Sequence, residues 1–238
     1  LWFCLGGSSV GILGMLALRA IGRSLNDVVN QAGAIGERRF ITITEPRTPE
    51  LRAVAHAMNG MVERVRQMYN EAATRLEELL RRVNYDQLTG LPNRDYFMAY
   101  FKEQLTGVEA VRYGVLAVMR LPDLNKVNDT LGRIETDKLI KKVGQIVADF
   151  SQQHDGALPG RIKAGEIAVV LPGESDPRGV SQRMQKIFDE RLVAKWPGLT
   201  DIYHLGVIRF EHGASVGDIL SNADHALALA EGEGANAS

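Results

Sequence analysis

The sequence predicts a molecule in two parts: a transmembrane helix with a helical bundle or coiled coil, followed by an α+β domain whose central sheet is flanked by helices. Three observations lead to this fold class. Residues 1–18 carry no charge, apolar residues recur at heptad spacing between residues 21 and 83, and strand and helix patterns alternate after residue 86. A net charge of −1 and a single cysteine give no support to nucleic-acid binding or to a disulfide scaffold.

The first segment reads LWFCLGGSSVGILGMLAL and is close to the minimum of about 17 residues for a helix that spans a bilayer. Arg19 and Arg23 follow it, and the positive-inside rule then places the rest of the chain in the cytoplasm. We therefore expect residues 1–19 to be the end of a truncated transmembrane helix in a bacterial inner membrane, with the residues after about 19 cytoplasmic. A buried helix of a soluble protein is the alternative.

Two heptad seams follow, and they predict two helices that dimerise. The first consists of Ile21, Leu25, Val28, Ala32 and Ile35, and the second of Leu51, Val54, Met58, Met61, Val65 and Met68. Two such helices per chain make a four-helix bundle in a homodimer. Residues 20–70 resemble a HAMP domain, with Pro49-Glu50-Leu51 as a match and Ser24, where that family usually has proline, as a departure. A generic dimeric coiled coil is the alternative.

A linker or signalling helix is predicted over residues 71–84. The apolar seam continues there as Met68, Ala72, Leu76, Leu79 and Val83, and its two consecutive spacings of four are a stutter that unwinds a coiled coil locally. Such a phase shift suits a helix with two packings of similar energy. Fraying near Asn84 is the alternative.

A turn-rich start motif, residues 86–94 with the sequence DQLTGLPNR, opens the second part. It is similar to the start of GGDEF domains, the diguanylate cyclase family, which reads Asp-x-Leu-Thr-x-Leu-x-Asn-Arg. The residues that carry the resemblance are Asp86, Leu88, Thr89, Gly90, Leu91, Asn93 and Arg94. We expect Asp86 and Arg94 to pair across the turn.

The remaining elements are predicted from local patterns. Strands are expected near residues 115–121, 158–162, 167–171 and 203–210, and helices near 94–105, 123–131, 134–150, 180–192 and 216–230. The GGDEF resemblance implies that these elements form a palm-like domain over residues 85–238.

The signature hairpin matches the family in shape but not in chemistry. The family motif reads Arg-x-Gly-Gly-Asp-Glu-Phe; Arg161 and Glu166 match it, whereas Lys163, Ala164, Gly165 and Ile167 depart from it. A further metal-binding carboxylate that the resemblance implies, at the end of the first strand, aligns with Arg120. Joining two GTP molecules into cyclic di-GMP needs metal ions held by carboxylates. We therefore expect no catalytic residues, no metal site and no cofactor, and we expect Glu166 to pair with Arg120 or Arg161.

Nucleotide contacts are only partly retained. Glu231 stands where the resemblance implies a basic residue in the last helix, and Lys126 is displaced by one position. Asn128 and Asp137 align with the family's guanine contacts, so guanine binding at these two residues stays open.

Together these features resemble the LapD-type inside-out receptors for cyclic di-GMP. The resemblance implies a signalling relay with an inactive GGDEF domain that couples cytoplasmic dinucleotide sensing to a HAMP domain and periplasmic output. It also implies as partners a homodimer through the HAMP and linker helices, the membrane, an upstream periplasmic domain, a downstream EAL domain and a diguanylate cyclase, but no nucleic acid. The alternatives are an active diguanylate cyclase, with Mg²⁺ and GTP, and a GTP-sensing allosteric module.

Overall fold

The computed structural model describes residues 40–46, 49–108, 110–196, 199 and 201–233, together with seven single helical positions: Met15, Arg19, Gly22, Asn26, Asn30, Gly33 and Ala34. The chain divides into two compact units, Leu1–Leu79 and Leu80–Ser238.

The predicted transmembrane helix falls on residues 1–18, of which only Met15 is described. Within the described ranges, no helix has both the length and the apolar character that a bilayer crossing requires. The longest described helix, α1 (Pro49–Asn84), carries charged side chains along most of its length. This finding contradicts the predicted transmembrane helix and the inner-membrane location derived from it.

In the first unit, the extended segment 40–46 lies along α1. Asn59 holds the backbone of Ile43 through two hydrogen bonds, accepting from its N–H (2.9 Å) and donating to its carbonyl (2.8 Å). Further along the segment, Glu45 lies 2.9 Å from His56 Nδ1. The partners on α1 come earlier in the chain as the segment advances, so segment and helix run antiparallel. The first predicted seam, residues 21–35, lies outside the described residues except for single positions.

Helix α1 buries one narrow face and leaves a second apolar face exposed. Ala55 and Val62 are buried. The exposed large aliphatic side chains on the helix, which we call the α1 stripe, are Val54, Met61, Met68, Leu76, Leu79, Leu80 and Val83. Most of them belong to the predicted heptad seams.

The second unit is built on a four-stranded antiparallel sheet of order β2-β3-β1-β4. The strands are β1 (Tyr113–Arg120), β2 (Leu158–Lys163), β3 (Glu166–Pro172) and β4 (His204–Glu211). Strands β1 and β3 are central, which explains why their sequences are almost continuously apolar.

Helices cover both faces of this sheet. Helices α2 (Arg94–Thr106) and α6 (Val216–Glu233) supply one core, and α4 (Arg133–Ser151) and α5 (Pro177–Arg191) supply the other. Successive β1 residues alternate between the cores, with Met119 in one and Val118 in the other. A short helix, α3 (Leu124–Leu131), connects β1 to α4. The predicted order of elements in this unit agrees with the structure, with ends that differ by a few residues.

Candidate functional site

The candidate site lies where β1 ends. The sheet register places Arg120 directly opposite Glu166 of β3 and His204 of β4. Directly opposed residues of antiparallel strands project from the same face of the sheet. The three side chains therefore form a row across the ends of three strands, on the face that α6 covers.

Arg120 binds three carboxylates at once. Its Nε donates to Glu166 Oε1 (2.9 Å), one terminal nitrogen donates to Asp224 Oδ1 (2.8 Å), and the other donates to Glu231 Oε1 (3.0 Å). We call these four residues the Arg120 hub. Burial lowers the pKa of Arg120, but hydrogen bonds and charges from Glu231 and Glu166 outweigh it, so the net pKa is raised. The guanidinium therefore stays charged.

Glu166, the one carboxylate of the signature that remains, is occupied by two cations. Its side chain is only 8% exposed and lies 2.9 Å from Arg120 Nε and 3.0 Å from Lys163 Nζ. Of the two predicted partners, Arg120 and Arg161, the structure pairs it with Arg120. Among the described residues, no group of three His, Cys, Asp or Glu side chains is placed to hold a metal ion.

The tip of the hairpin packs against the start of the loop that follows β1. The carbonyl of Gly165 accepts a hydrogen bond from Leu121 N (2.8 Å). A Cβ atom at position 165 would lie 3.3 Å from Leu121 O and 3.5 Å from Leu124 Cδ1, so a carboxylate side chain here would be tightly confined. Beside it stand Lys163 and Ala164, and Ile167 is buried in the core.

A cavity of about 540 Å³ opens beside the hub. Its charged lining comprises the carboxylates of Asp123, Asp201 and Glu231 and the cations Arg120 and Lys126. Arg120 is already neutralised by the hub, so a triphosphate would face more negative than free positive charge here.

The start motif is anchored to the hairpin from the opposite side. Asp86 accepts hydrogen bonds from the backbone N–H and hydroxyl of Thr89 (2.8 and 2.7 Å) and from Arg161 (3.0 Å). Burial raises the pKa of Asp86, but these hydrogen bonds and the charge of Arg161 lower it by more. The net pKa of Asp86 is therefore below its usual value. The expected pairing of Asp86 with Arg94 is wrong. Arg161 is the partner because β2 runs beside the motif, where Arg161 N donates to Pro92 O (2.8 Å).

The other start-motif residues have structural places. Leu91 is buried and Leu88 packs against the same core. Gly90 has φ +72°, a conformation that favours glycine. Asn93 caps α2 by accepting from Tyr96 N (3.1 Å), and Arg94 is the exposed first residue of that helix.

The two possible guanine-binding residues lie on neighbouring helices. Asn128 is on α3, and Asp137 is on α4, which starts directly after Gly132. Asn128 Oδ1 is buried and has no hydrogen-bond partner in the described part of the chain. Asp137 is partly exposed.

Two features of the site were not foreseen. Asp224 had no predicted role, although it lies seven residues before Glu231, a spacing that places both on one face of α6. His204 had no predicted role either, and its nearly buried ring lies 3.2 Å from Asp201. Sequence periodicity could have indicated the first, whereas the second depends on the sheet register.

Residues 83–237 match the family model described as "Diguanylate cyclase, GGDEF domain". The match covers more than half of the chain. The chain belongs to the GGDEF family. The resemblance of the start motif and the hairpin to this family is thereby confirmed.

Several known proteins are similar to this GGDEF chain. The RNase E specificity factor CsrD of Escherichia coli is 26% identical over 170 residues, which cover 70% of this chain and 26% of that protein. Diguanylate cyclase DgcN of Escherichia coli is 23% identical over 70% of this chain and 41% of its own length. The chain thus spans about a quarter to two fifths of these relatives.

Solved structures share the fold. The S helix-GGDEF-EAL structure of Vibrio cholerae LapD bound to c-di-GMP has a TM-score of 0.59 at 20% identity, covering 69% of this chain and 38% of that one. The coiled coil and GGDEF domain of DgcB from Caulobacter crescentus, in complex with c-di-GMP, has a TM-score of 0.58 at 22% identity, covering 79% and 97%. At these identities the likeness concerns the fold alone.

Proposed function

We propose that the GGDEF domain of this chain is a catalytically inactive relay in cyclic-di-GMP signalling. The observation that supports this most strongly is the Arg120 hub. A guanidinium lies at the end of β1, where the family resemblance implies a metal-binding carboxylate, and it holds Glu166 at 2.9 Å. A metal ion at this place would have to displace a bound cation.

The charges around the hub also disfavour a metal site. Phosphoryl transfer needs metal ions that offset the charge of the triphosphate and activate the attacking hydroxyl. Gly165 supplies no ligand, Glu166 is taken up by Arg120 and Lys163, and Glu231 adds negative charge where phosphates would lie. The remaining carboxylates are held as partners of a cation and not as ligands for a metal.

The relay would act between other domains. LapD, whose fold this domain shares, has been solved as an S helix-GGDEF-EAL chain with and without c-di-GMP. We infer that an EAL domain, in the same full-length protein, binds the dinucleotide, and that a diguanylate cyclase is a further partner. The GGDEF domain would then transmit the conformational change caused by dinucleotide binding to the helices that precede it.

The proposed organisation is a HAMP domain over residues 20–70, a signalling helix over 71–84 and a degenerate GGDEF domain over 85–238. Segment 40–46 runs antiparallel to α1, and this supports the HAMP domain. A connector with this course would join the end of a first helix to the start of a second helix that runs parallel to it. The α1 stripe supports a homodimer, since a second copy would bury these exposed apolar side chains at heptad spacing.

Incubating the full chain with GTP and either Mg²⁺ or Mn²⁺ tests the absence of cyclase activity. We expect no cyclic di-GMP above a no-enzyme background by chromatography, under conditions in which an active GGDEF cyclase makes product. Product formation by the purified chain would contradict the proposal.

A second candidate is a GTP-sensing module, and the unsatisfied Asn128 Oδ1 favours it because guanine offers N–H donors. Calorimetry with GTP in the absence of turnover would reveal binding. Binding that is lost in Asn128→Ala and Asp137→Ala, but kept in the exposed control Asp129→Ala, would establish this role. No binding in the wild type would exclude it.

A further inference from the structure

We propose that Arg120 acts as a latch that holds the C-terminal half of α6 against the sheet. The signature hairpin and the last helix would then move together. This goes beyond the loss of catalysis, because it assigns Arg120 a task of its own. The guanidinium has partners on two different elements. One of them, Glu166, lies on the hairpin strand β3, and two, Asp224 and Glu231, lie on α6.

The spacing on α6 makes the attachment a two-point one. Asp224 and Glu231 are seven residues apart, about two helical turns and roughly 10 Å along the axis. Their oxygens lie 2.8 and 3.0 Å from the two terminal nitrogens of the same side chain. A guanidinium has a planar array of donors, which a lysine ammonium lacks, so one arginine can hold both turns.

Helix α6 buries more apolar side chains in its first part than after Leu227, so the last turns depend more on polar contacts. The first part of the helix is anchored by Ile219, Ala223 and Leu227, all buried. It also approaches β4 closely at Gly206, where a Cβ atom would lie 2.9 Å from Ala223 O. After Leu227 the only buried side chain of the described helix is Ala230, while Leu229 is 58% exposed. A helix end with so little buried apolar surface opens easily unless polar contacts hold it.

Charge balance makes the latch sensitive to loss of Arg120. Without it, three carboxylates would remain close together, and among the described residues Lys163 is the one other cation bound to any of them. Glu166 is nearly buried, so its charge is poorly screened by solvent. Removing Arg120 therefore replaces an attraction between α6 and the strand ends by a repulsion.

Hydrogen–deuterium exchange of the full chain, read by mass spectrometry, tests the latch. The variants are Arg120→Gln and the reciprocal double variant Asp224→Asn/Glu231→Gln. The double variant replaces two exposed side chains and leaves the Arg120–Glu166 pair in place. We expect exchange over residues 224–233 to rise by about threefold to tenfold in both, as the loss of two or three ion pairs implies. Exchange over β1, β3 and the first turns of α6 should stay at the wild-type rate in the double variant.

The matched control is Lys138→Gln, which removes a cation whose ion pair with Glu135 (2.7 Å) lies within one exposed helix turn. It should leave α6 unchanged. If residues 224–233 exchange at the wild-type rate in the double variant, there is no latch. If exchange rises evenly over the whole domain, the hub supports global stability and the latch is again refuted. Should Arg120→Gln fail to fold, the double variant alone decides. None of these outcomes depends on cyclase activity, so the latch and the proposed function fail separately.

Discussion

Two ion pairs hold the two strands of the same hairpin, and they differ in their relation to the GGDEF signature. On β2, Arg161 pairs with Asp86 of the start motif (3.0 Å), and on β3, Glu166 pairs with Arg120 (2.9 Å). The first pair uses two residues that match the family motif. The second joins a matching residue to a cation that stands in place of a carboxylate. Within one hairpin, the residues that support the fold are therefore separable from those that would support chemistry.

The two pairs are similarly shielded, but their surroundings differ. The side chains of Arg161 and Asp86 are 14% and 23% exposed and those of Arg120 and Glu166 are 24% and 8% exposed, whereas the two further hub carboxylates, Asp224 and Glu231, are 55% and 41% exposed. Exposed ion pairs are screened by solvent and salt and contribute little each, while a pair removed from water leaves a costly unpaired charge when one partner is lost. Loss of Arg120 leaves Glu166 paired with Lys163, whereas loss of Arg161 leaves Asp86 without another cation among the described residues. The start-motif pair should therefore matter more for stability.

Replacing Arg161 should have the largest effect. Arg161→Ala leaves Asp86 without its cation and the carbonyl of Ala164 without its donor. We expect the free energy of unfolding to fall by about 2–3 kcal/mol, measured by urea unfolding followed by circular dichroism. The control Lys186→Ala removes a cation 4.0 Å from Glu190 on an exposed helix face and should change little. Equal losses in the two variants would contradict the comparison.

Replacing the hub arginine should cost less but change metal binding. Arg120→Ala should lower the free energy of unfolding by about 1 kcal/mol. In the wild type Glu166, Asp224 and Glu231 are not placed to hold a metal ion. Without Arg120 their mutual repulsion would favour a divalent cation between them, since carboxylate oxygens bind hard divalent cations. Mn²⁺ should therefore raise the melting temperature of Arg120→Ala.

The wild type and Arg120→Lys, which keeps the positive charge, serve as controls for this gain. Neither should respond to Mn²⁺ in the same range. A shift of equal size in all three proteins would show that the metal binds elsewhere and that Arg120 does not fill a cation position.

The two ion pairs should also differ in how their contributions to stability change in acid. The pKa of Asp86 is lowered in the folded state, so its contribution to stability is present above the unfolded pKa and is lost as pH falls through the folded pKa. The raised pKa of Arg120 adds no dependence of its own in acid, because arginine is protonated throughout that range. We expect stability to fall below about pH 4, and Asp86→Asn to fall less steeply. Parallel profiles for both proteins would assign the acid sensitivity to other groups.

Restoring two carboxylates should have the smallest effect on activity. Arg120→Asp/Gly165→Asp recreates the carboxylates that the resemblance implies at those positions. Lys163 and Ala164 still depart from the family motif, Glu231 still stands where the resemblance implies a basic residue, and position 165 is confined by Leu121 and Leu124. We expect no cyclic di-GMP by chromatography alongside an active cyclase. Product from this variant, with none from the wild type, would mean that positions 120 and 165 alone account for the inactivity proposed for the wild type.

Local patterns in the sequence were sufficient for most of the GGDEF domain. The apolar run ending at Arg120 predicted a central strand, and the apolar stretch after Glu166 predicted the second strand of the hairpin, because strand burial imposes a pattern on neighbouring residues. The pairing of Asp86 was predicted wrongly because Arg94 is near in sequence. Arg161 becomes the partner only when β2 lies beside the start motif. The transmembrane prediction rested on composition alone, and no described helix supports it.

The sequence by itself determined the order of strands and helices and the family. It also determined that Arg120 and Gly165 stand where the family resemblance implies carboxylates, which is the basis of the proposed inactivity. Only the tertiary structure decided what Arg120 does instead. Its partners Glu166, Asp224 and Glu231 are 46, 104 and 111 residues away along the chain. Periodicity reports which face of an element is buried, but not which distant elements meet. The register of β1 with β3 and the packing of α6 against β4 bring these four charges together, and this arrangement makes a cation at the end of β1 a stable part of the fold.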